Sequence, residues 1–256
     1  MVVATLAWLA AGFLLRRPRG VVDAAERMHR CCARIVRALG VEWSVRGELP
    51  RSGAVVSNHL SYLDVLLFAA VRPFVMVAKS EVAGWPLIGW MTRQAGTVFV
   101  VRGGGPPTWP GVNRAMAEAY RSGLPVLFFP EGTTTDGASV LEFRRGLFHS
   151  VLNEGAALRT AALGYSLSDD CGATVEEDVC WIGDATLAPH LLRLAGLKGV
   201  RAEIRFGDEV PDRSDRFVLS RTARERVMEM AAGLRAAASG EVRTAAGEAE
   251  LVEAVP

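Results

Sequence analysis

The apolar residues of this chain fall into short unbroken runs separated by stretches with helical spacing. Residues 54–57, 74–77, 97–101 and 126–129 are runs rich in Val and Phe, each bounded by turn or polar residues, and they predict buried strands. Between them, residues 61–70, 87–94 and 111–121 carry helical spacing, the last followed by Gly123 and Pro125 as stop signals. Further on, residues 160–166 and 201–206 read as strands, and 147–154, 187–195 and 218–238 as helices. Strand and helix alternate, which predicts an α/β fold with a mixed, mostly parallel sheet covered by helices.

The ends of the chain differ from this middle. Residues 1–15 are almost wholly apolar and are closed by Arg16, Arg17 and Arg19. A helix of that length rises roughly 22 Å, short of the ~30 Å hydrocarbon core of a bilayer. A secretory signal places its basic residues before the apolar run, whereas here they follow it. An anchor in one leaflet, with the arginines at the cytoplasmic headgroups, fits both length and charge order; a helix packed on the domain is the alternative. Residues 21–39 then form a helical stretch with a basic face of Arg27, Arg30, Arg34 and Arg37, stopped by Gly40. The expected organisation is a two-helix membrane-associating element over 1–40, a main α/β domain over 41–239 and a flexible Glu- and Ala-rich tail over 240–256.

Composition narrows the partners. The 29 basic and 28 acidic residues leave a net charge of +1, without the positive bias of a nucleic-acid binder. Cys31, Cys32, Cys171 and Cys180 form no CxxC pair, and His29, His59, His149 and His190 are scattered, so neither a metal site nor a disulfide framework is expected. The glycines at 103–105 do not make the dinucleotide-binding pattern, and no G-x-S-x-G nucleophile turn occurs.

Three segments at predicted strand ends carry candidate chemistry. In Ser57-Asn58-His59-Leu60-Ser61-Tyr62-Leu63-Asp64 a strand gives way to a helix within a few residues. Five helical residues turn through about 140°, so His59 and Asp64 meet only when His59 stands ahead of the helix and Asp64 in its first turn. A carboxylate so placed fixes the imidazole tautomer and supports a general base. The same Ser61-to-Asp64 spacing equally fits a capping box, in which Asp64 only receives a backbone amide. In Phe129-Pro130-Glu131-Gly132-Thr133-Thr134 a strand runs into a glycine turn whose carboxylate and amides can hold hydroxyl or phosphate groups, or which is an ordinary loop. Arg102, after the 97–101 strand, offers a planar fork suited to phosphate, as surface arginines also do.

Together, Asn58-His59 with Asp64, Ala78-Lys79-Ser80-Glu81, Val98 through Arg102, Phe129 through Thr133 and Phe143-Arg144-Arg145-Gly146 resemble the glycerolipid acyltransferase family, typified by 1-acyl-glycerol-3-phosphate acyltransferases. The resemblance spans roughly residues 53–166. It implies that His59, oriented by Asp64, deprotonates an acceptor hydroxyl as it attacks an acyl thioester, with no covalent acyl-enzyme and no cofactor. It implies substrate-binding roles for Asn58, Arg102, Glu131, Gly132, Thr133 and Thr134, with Lys79, Arg144 and Arg145 as further candidates. The implied donor is acyl-CoA or acyl-ACP and the implied partner a membrane surface. The implied acceptor is a lysophospholipid, first 1-acyl-glycerol-3-phosphate, with lyso-ornithine lipid and lysophosphatidylcholine as alternatives; the competing functions are a thioester hydrolase, in which His59 activates water, and a non-catalytic lipid-binding homologue. Two departures bear on the acceptor. Thr134 stands where the family's commonest motif has arginine, and the fourth motif survives only as residues 159–165, without its proline.

Overall fold

A computed structural model describes residues 17–85, 88–101, 109–168, 172–183 and 185–239. The apolar leader, the 102–108 glycine segment with Arg102, and the tail lie outside the described residues. Seven helices, α1 (Val21–Ala38), α2 (Tyr62–Val71), α3 (Ile88–Gln94), α4 (Trp109–Arg121), α5 (Gly146–Asn153), α6 (Leu187–Gly196) and α7 (Arg216–Ala238), accompany seven strands among the described residues. The strands are β1 (Glu42–Arg46), β2 (Gly53–Val56), β3 (Val75–Lys79), β4 (Val98–Val100), β5 (Pro125–Phe128), β6 (Leu158–Ser166) and β7 (Arg201–Glu209).

They form one sheet in the order β1-β7-β6-β2-β5-β3-β4. Strands β6, β2, β5, β3 and β4 run parallel, while β7 pairs antiparallel with β6 and carries β1 parallel beside it. The burial pattern follows this difference. Every residue of β2 and β5 is buried, because helices cover both faces of the parallel centre. In β7, Ala202, Ile204 and Phe206 are buried and alternate with Arg201, Glu203 and Arg205, the period of a strand with one wet face.

Two hydrophobic layers sandwich the sheet. On one face Val55, Leu127 and Leu163 pack beneath Met28, Ile35 and Val36 of α1 and Leu63, Leu67 and Phe68 of α2. On the other, Val56, Val126, Phe128 and Ala162 pack beneath Met116 of α4, Phe148 and Val151 of α5, and Ala223 and Val227 of α7. A fully buried side chain of this size contributes ~1.5–3 kcal/mol, so these rows hold the strand ends in fixed register.

Of the expected two-helix element, only the second helix lies among the described residues. It is α1, and it is part of the core rather than a detached arm: Ala24, Ala25, Met28, Cys31, Cys32, Ile35 and Val36 are all buried. Among the described residues no helix is long and apolar enough to cross a membrane.

Candidate active site

The parallel register of β2 and β5 pairs Val56 with Phe128, so the chain leaves both strands at the same carboxyl-terminal edge, where α/β sheets collect their ligands. His59 stands in the connection after β2, ahead of α2, and Asp64 is the third residue of that helix. Asp64 Oδ2 accepts the amides of Leu60 at 2.6 Å and Ser61 at 3.0 Å. The same oxygen accepts Nδ1–H of His59 at 2.8 Å. Helix capping and imidazole orientation therefore coexist on one carboxylate. Its other oxygen accepts the Tyr165 hydroxyl of β6 at 2.6 Å.

These four donors surround a side chain with no exposure, while the His59 side chain keeps 18% of its surface in solvent. Hydrogen bonds to a charged acceptor stabilise by ~1.5–3 kcal/mol each, and here they fix the tautomer. With the proton on Nδ1 and directed to Asp64, Nε2 of His59 holds the basic lone pair. The ring stacks on Phe129, centroids 4.0 Å apart and planes 9° from parallel. The backbone is held as well: the His59 amide donates to Glu131 Oε1 at 2.8 Å, and its carbonyl accepts the Thr135 amide at 2.9 Å.

Glu131, buried at the end of β5, joins three segments. Its second oxygen accepts the Leu141 amide at 2.8 Å, and burial pushes the carboxyl above its ordinary range against the opposing pull of the two amides. Gly132 has φ +72°, and a Cβ there would come within 2.6 Å of Nε of Arg144. The left-handed backbone favours glycine at this turn, and the Arg144 side chain packs close over it. Arg144 binds back through its amide to Pro130 O at 2.8 Å and through Nε to Glu131 O at 3.4 Å.

The other expected site residues are placed as follows. Asn58 is 4% exposed, with Nδ2 donating to Leu163 O and Oδ1 accepting from Leu163 N, each at 2.9 Å. Both ends of its amide thus bridge β2 to β6, and its visible contribution is to position its neighbour. The Thr134 hydroxyl donates to the Trp181 carbonyl, and the Trp181 amide donates to Leu60 O at 2.8 Å. Where the family's commonest motif carries a cation, this chain pins a second loop. Thr133 is exposed, and Lys79 ends β3 at the same sheet edge. Arg145 turns away, its guanidinium 4.8 Å over the ring of Phe217 in α7.

Two contributors had no readable signal in the sequence. Tyr165 lies 101 residues from Asp64 and meets it only because β6 pairs with β2. Arg224 of α7 donates to Leu141 O at 2.9 Å and Val140 O at 2.8 Å, steadying the segment whose amide holds Glu131.

Residues 40–163 match the family described as Acyltransferase. A Pseudomonas aeruginosa protein, "Lyso-ornithine lipid O-acyltransferase", is 37% identical over 199 residues, covering 76% of this chain and 74% of that protein. The "1-acyl-sn-glycerol-3-phosphate acyltransferase" of Neisseria gonorrhoeae is 32% identical over 187 residues, 72% of this chain and 71% of that one. The crystal structure of the 1-acyl-sn-glycerophosphate acyltransferase PlsC from Thermotoga maritima superposes with a TM-score of 0.63 at 18% identity, covering 90% of this chain and 88% of that one, and shares the fold. With 37% of 199 aligned residues identical along three quarters of the Pseudomonas protein, the chain belongs to the glycerolipid acyltransferase family and is itself an acyltransferase.

Proposed function

We propose that the enzyme transfers a fatty acyl group from a CoA or carrier-protein thioester to the hydroxyl of a lysolipid, with His59 as general base. The observation that carries this reading is the 2.8 Å bond from Nδ1 of His59 to a buried Asp64, which leaves Nε2 basic on a partly exposed ring. Nε2 takes the acceptor's hydroxyl proton as that oxygen attacks the thioester carbonyl, and Asp64 stabilises the imidazolium that forms. The new C–O bond replaces the C–S bond. The leaving thiolate takes its proton from the imidazolium, which returns the histidine to its starting state.

For the acceptor, lyso-ornithine lipid is favoured over 1-acyl-glycerol-3-phosphate. Thr134 replaces the arginine that would bind a phosphate, and its hydroxyl is engaged by Trp181. The Pseudomonas relative that bears the lyso-ornithine name is also more similar than the Neisseria one. Arg102 and the Neisseria relatives support the phosphate-bearing acceptor as the second reading. With one acyl donor and lysolipids presented in detergent, kcat/KM for lyso-ornithine lipid should exceed that for 1-acyl-glycerol-3-phosphate and lysophosphatidylcholine by at least about tenfold, or ~1.4 kcal/mol. The reverse ranking would reassign the acceptor and leave acyl transfer standing.

The lysolipid resides in a bilayer, so residues 1–15 with Arg16, Arg17 and Arg19 serve in this reading as an anchor at the cytoplasmic face. Each arginine near anionic lipid adds ~1 kcal/mol. Removal of residues 1–20 should shift the protein from the vesicle pellet to the supernatant at physiological salt. A truncated protein that still pellets with vesicles would exclude the leader as the anchor.

A further inference from the structure

A cavity of about 400 Å³ lies between the segment that follows the Glu131 turn and the amino-terminal half of α7. Its walls carry the guanidiniums of Arg145, Arg221 and Arg224, the carboxylates of Glu142 and Glu225, and the ring of Phe217. Arg224 is committed to the Val140 and Leu141 carbonyls and to Glu142 at 3.2 Å. Arg145 and Arg221 have no carboxylate partner within ion-pair distance among the described residues. Phe217 is 52% exposed, an unusual place for a large aromatic, with the guanidinium of Arg145 4.8 Å and that of Arg216 5.2 Å from its ring centre.

We infer that this cavity binds the phosphate of the phosphopantetheine arm through which the acyl donor carries its thioester. This rests on the acyl-transfer reading above. With three guanidiniums against two carboxylates in its lining the cavity is net positive, and Arg145 and Arg221 offer planar forks matched to phosphate oxygens. The position suits a donor. Arg144 lies against Gly132 in the catalytic turn, and the next residue, Arg145, faces the cavity, so one step along the chain links the two. The cavity lies against α7, in the layer that α5 and α7 form on one face of the sheet.

The phosphate could be presented by CoA or by a carrier protein, and matched acyl thioesters of CoA, carrier protein and phosphate-free pantetheine separate the sources. Steady-state kinetics with one lysolipid acceptor would compare the wild type with the exposed double variant Arg145→Glu, Arg221→Glu and with Arg221→Ala. The ratio of kcat/KM for the preferred phosphate-bearing donor to that for the pantetheine thioester should fall at least about tenfold in the double variant, equivalent to ~1.4 kcal/mol, and less in Arg221→Ala. The loss should lie in the donor KM. A fall confined to the CoA thioester assigns the phosphate to CoA, and one confined to the carrier-protein thioester assigns it to the carrier. An unchanged ratio, or equal losses with the pantetheine thioester, would overturn the inference. Wild-type enzyme that transfers acyl groups from none of the three donors would instead overturn the acyl-transfer reading.

Discussion

Asp64→Asn should lower kcat by about a hundredfold to ten-thousandfold while leaving the fold within ~1–2 kcal/mol of wild type. Asparagine offers one carbonyl oxygen and one NH₂. Three N–H donors converge on Oδ2, from Leu60, Ser61 and His59, so the amide oxygen must take that place. The NH₂ then faces Tyr165, whose hydroxyl now accepts where it had donated to Oδ1. The helix stays capped and Nδ1 of His59 keeps its proton. What disappears is the negative charge that, in the proposed mechanism, stabilises the imidazolium formed when the acceptor hydroxyl is deprotonated. The substitution therefore separates the two roles that the sequence left in balance. Saturating kcat and the midpoint of urea unfolding, measured together, check this. A folded Asp64→Asn enzyme with near wild-type kcat would make Asp64 a cap alone.

Much of this site was legible before the fold. The requirement that His59 precede the helix and Asp64 stand in its first turn followed from helical geometry, and the structure has both. The strands at the centre of the sheet were legible because Val55, Val56, Leu127 and Phe128 are buried on both faces, which leaves an unbroken apolar run. β1 gave no comparable run. As an edge strand with exposed Glu42 and Arg46 it pairs with only one neighbour, and its Glu-Trp-Ser-Val-Arg sequence carries charge at both ends and no unbroken apolar run. The reversal of β7 was equally hidden, since strand direction depends on how the chain returns after α6 and not on residue pattern.

The contacts that sequence reading missed are those between backbone groups and distant side chains. Glu131 was expected at the substrate, but no spacing rule showed that its two oxygens would hold the amides of His59 and Leu141, 72 and 10 residues away. Thr134 was read as a site residue, and no spacing rule showed that its hydroxyl would meet the Trp181 carbonyl across 47 residues. Arg102 lies outside the described residues, so its expected phosphate contact stays with the second acceptor reading. Such partners are set by which strand ends share an edge, and the sheet order β6-β2-β5 is what brings Tyr165, His59 and Glu131 together.

The proposed base, His59, carries the largest expected effect. His59 alone among the groups of this cluster combines a basic nitrogen with partial exposure; Asp64, Glu131 and Asn58 are buried and hold protein donors. Truncating it removes the proton acceptor and the ring that stacks on Phe129, but leaves Asp64 capped by Leu60 and Ser61 and held by Tyr165. The fold should therefore survive, and substrate contacts elsewhere should keep both KM values near those of wild type. The decisive experiment is acceptor-dependent thiol release from an acyl thioester by purified wild-type and His59→Ala enzymes, with the acylated lipid quantified alongside. Wild type should release one thiol per acyl-lipid formed, and His59→Ala should lower kcat by about three to four orders of magnitude. A folded His59→Ala enzyme that retains most of the wild-type rate, or thiol release by wild type that yields free fatty acid without acylated lipid, would contradict it.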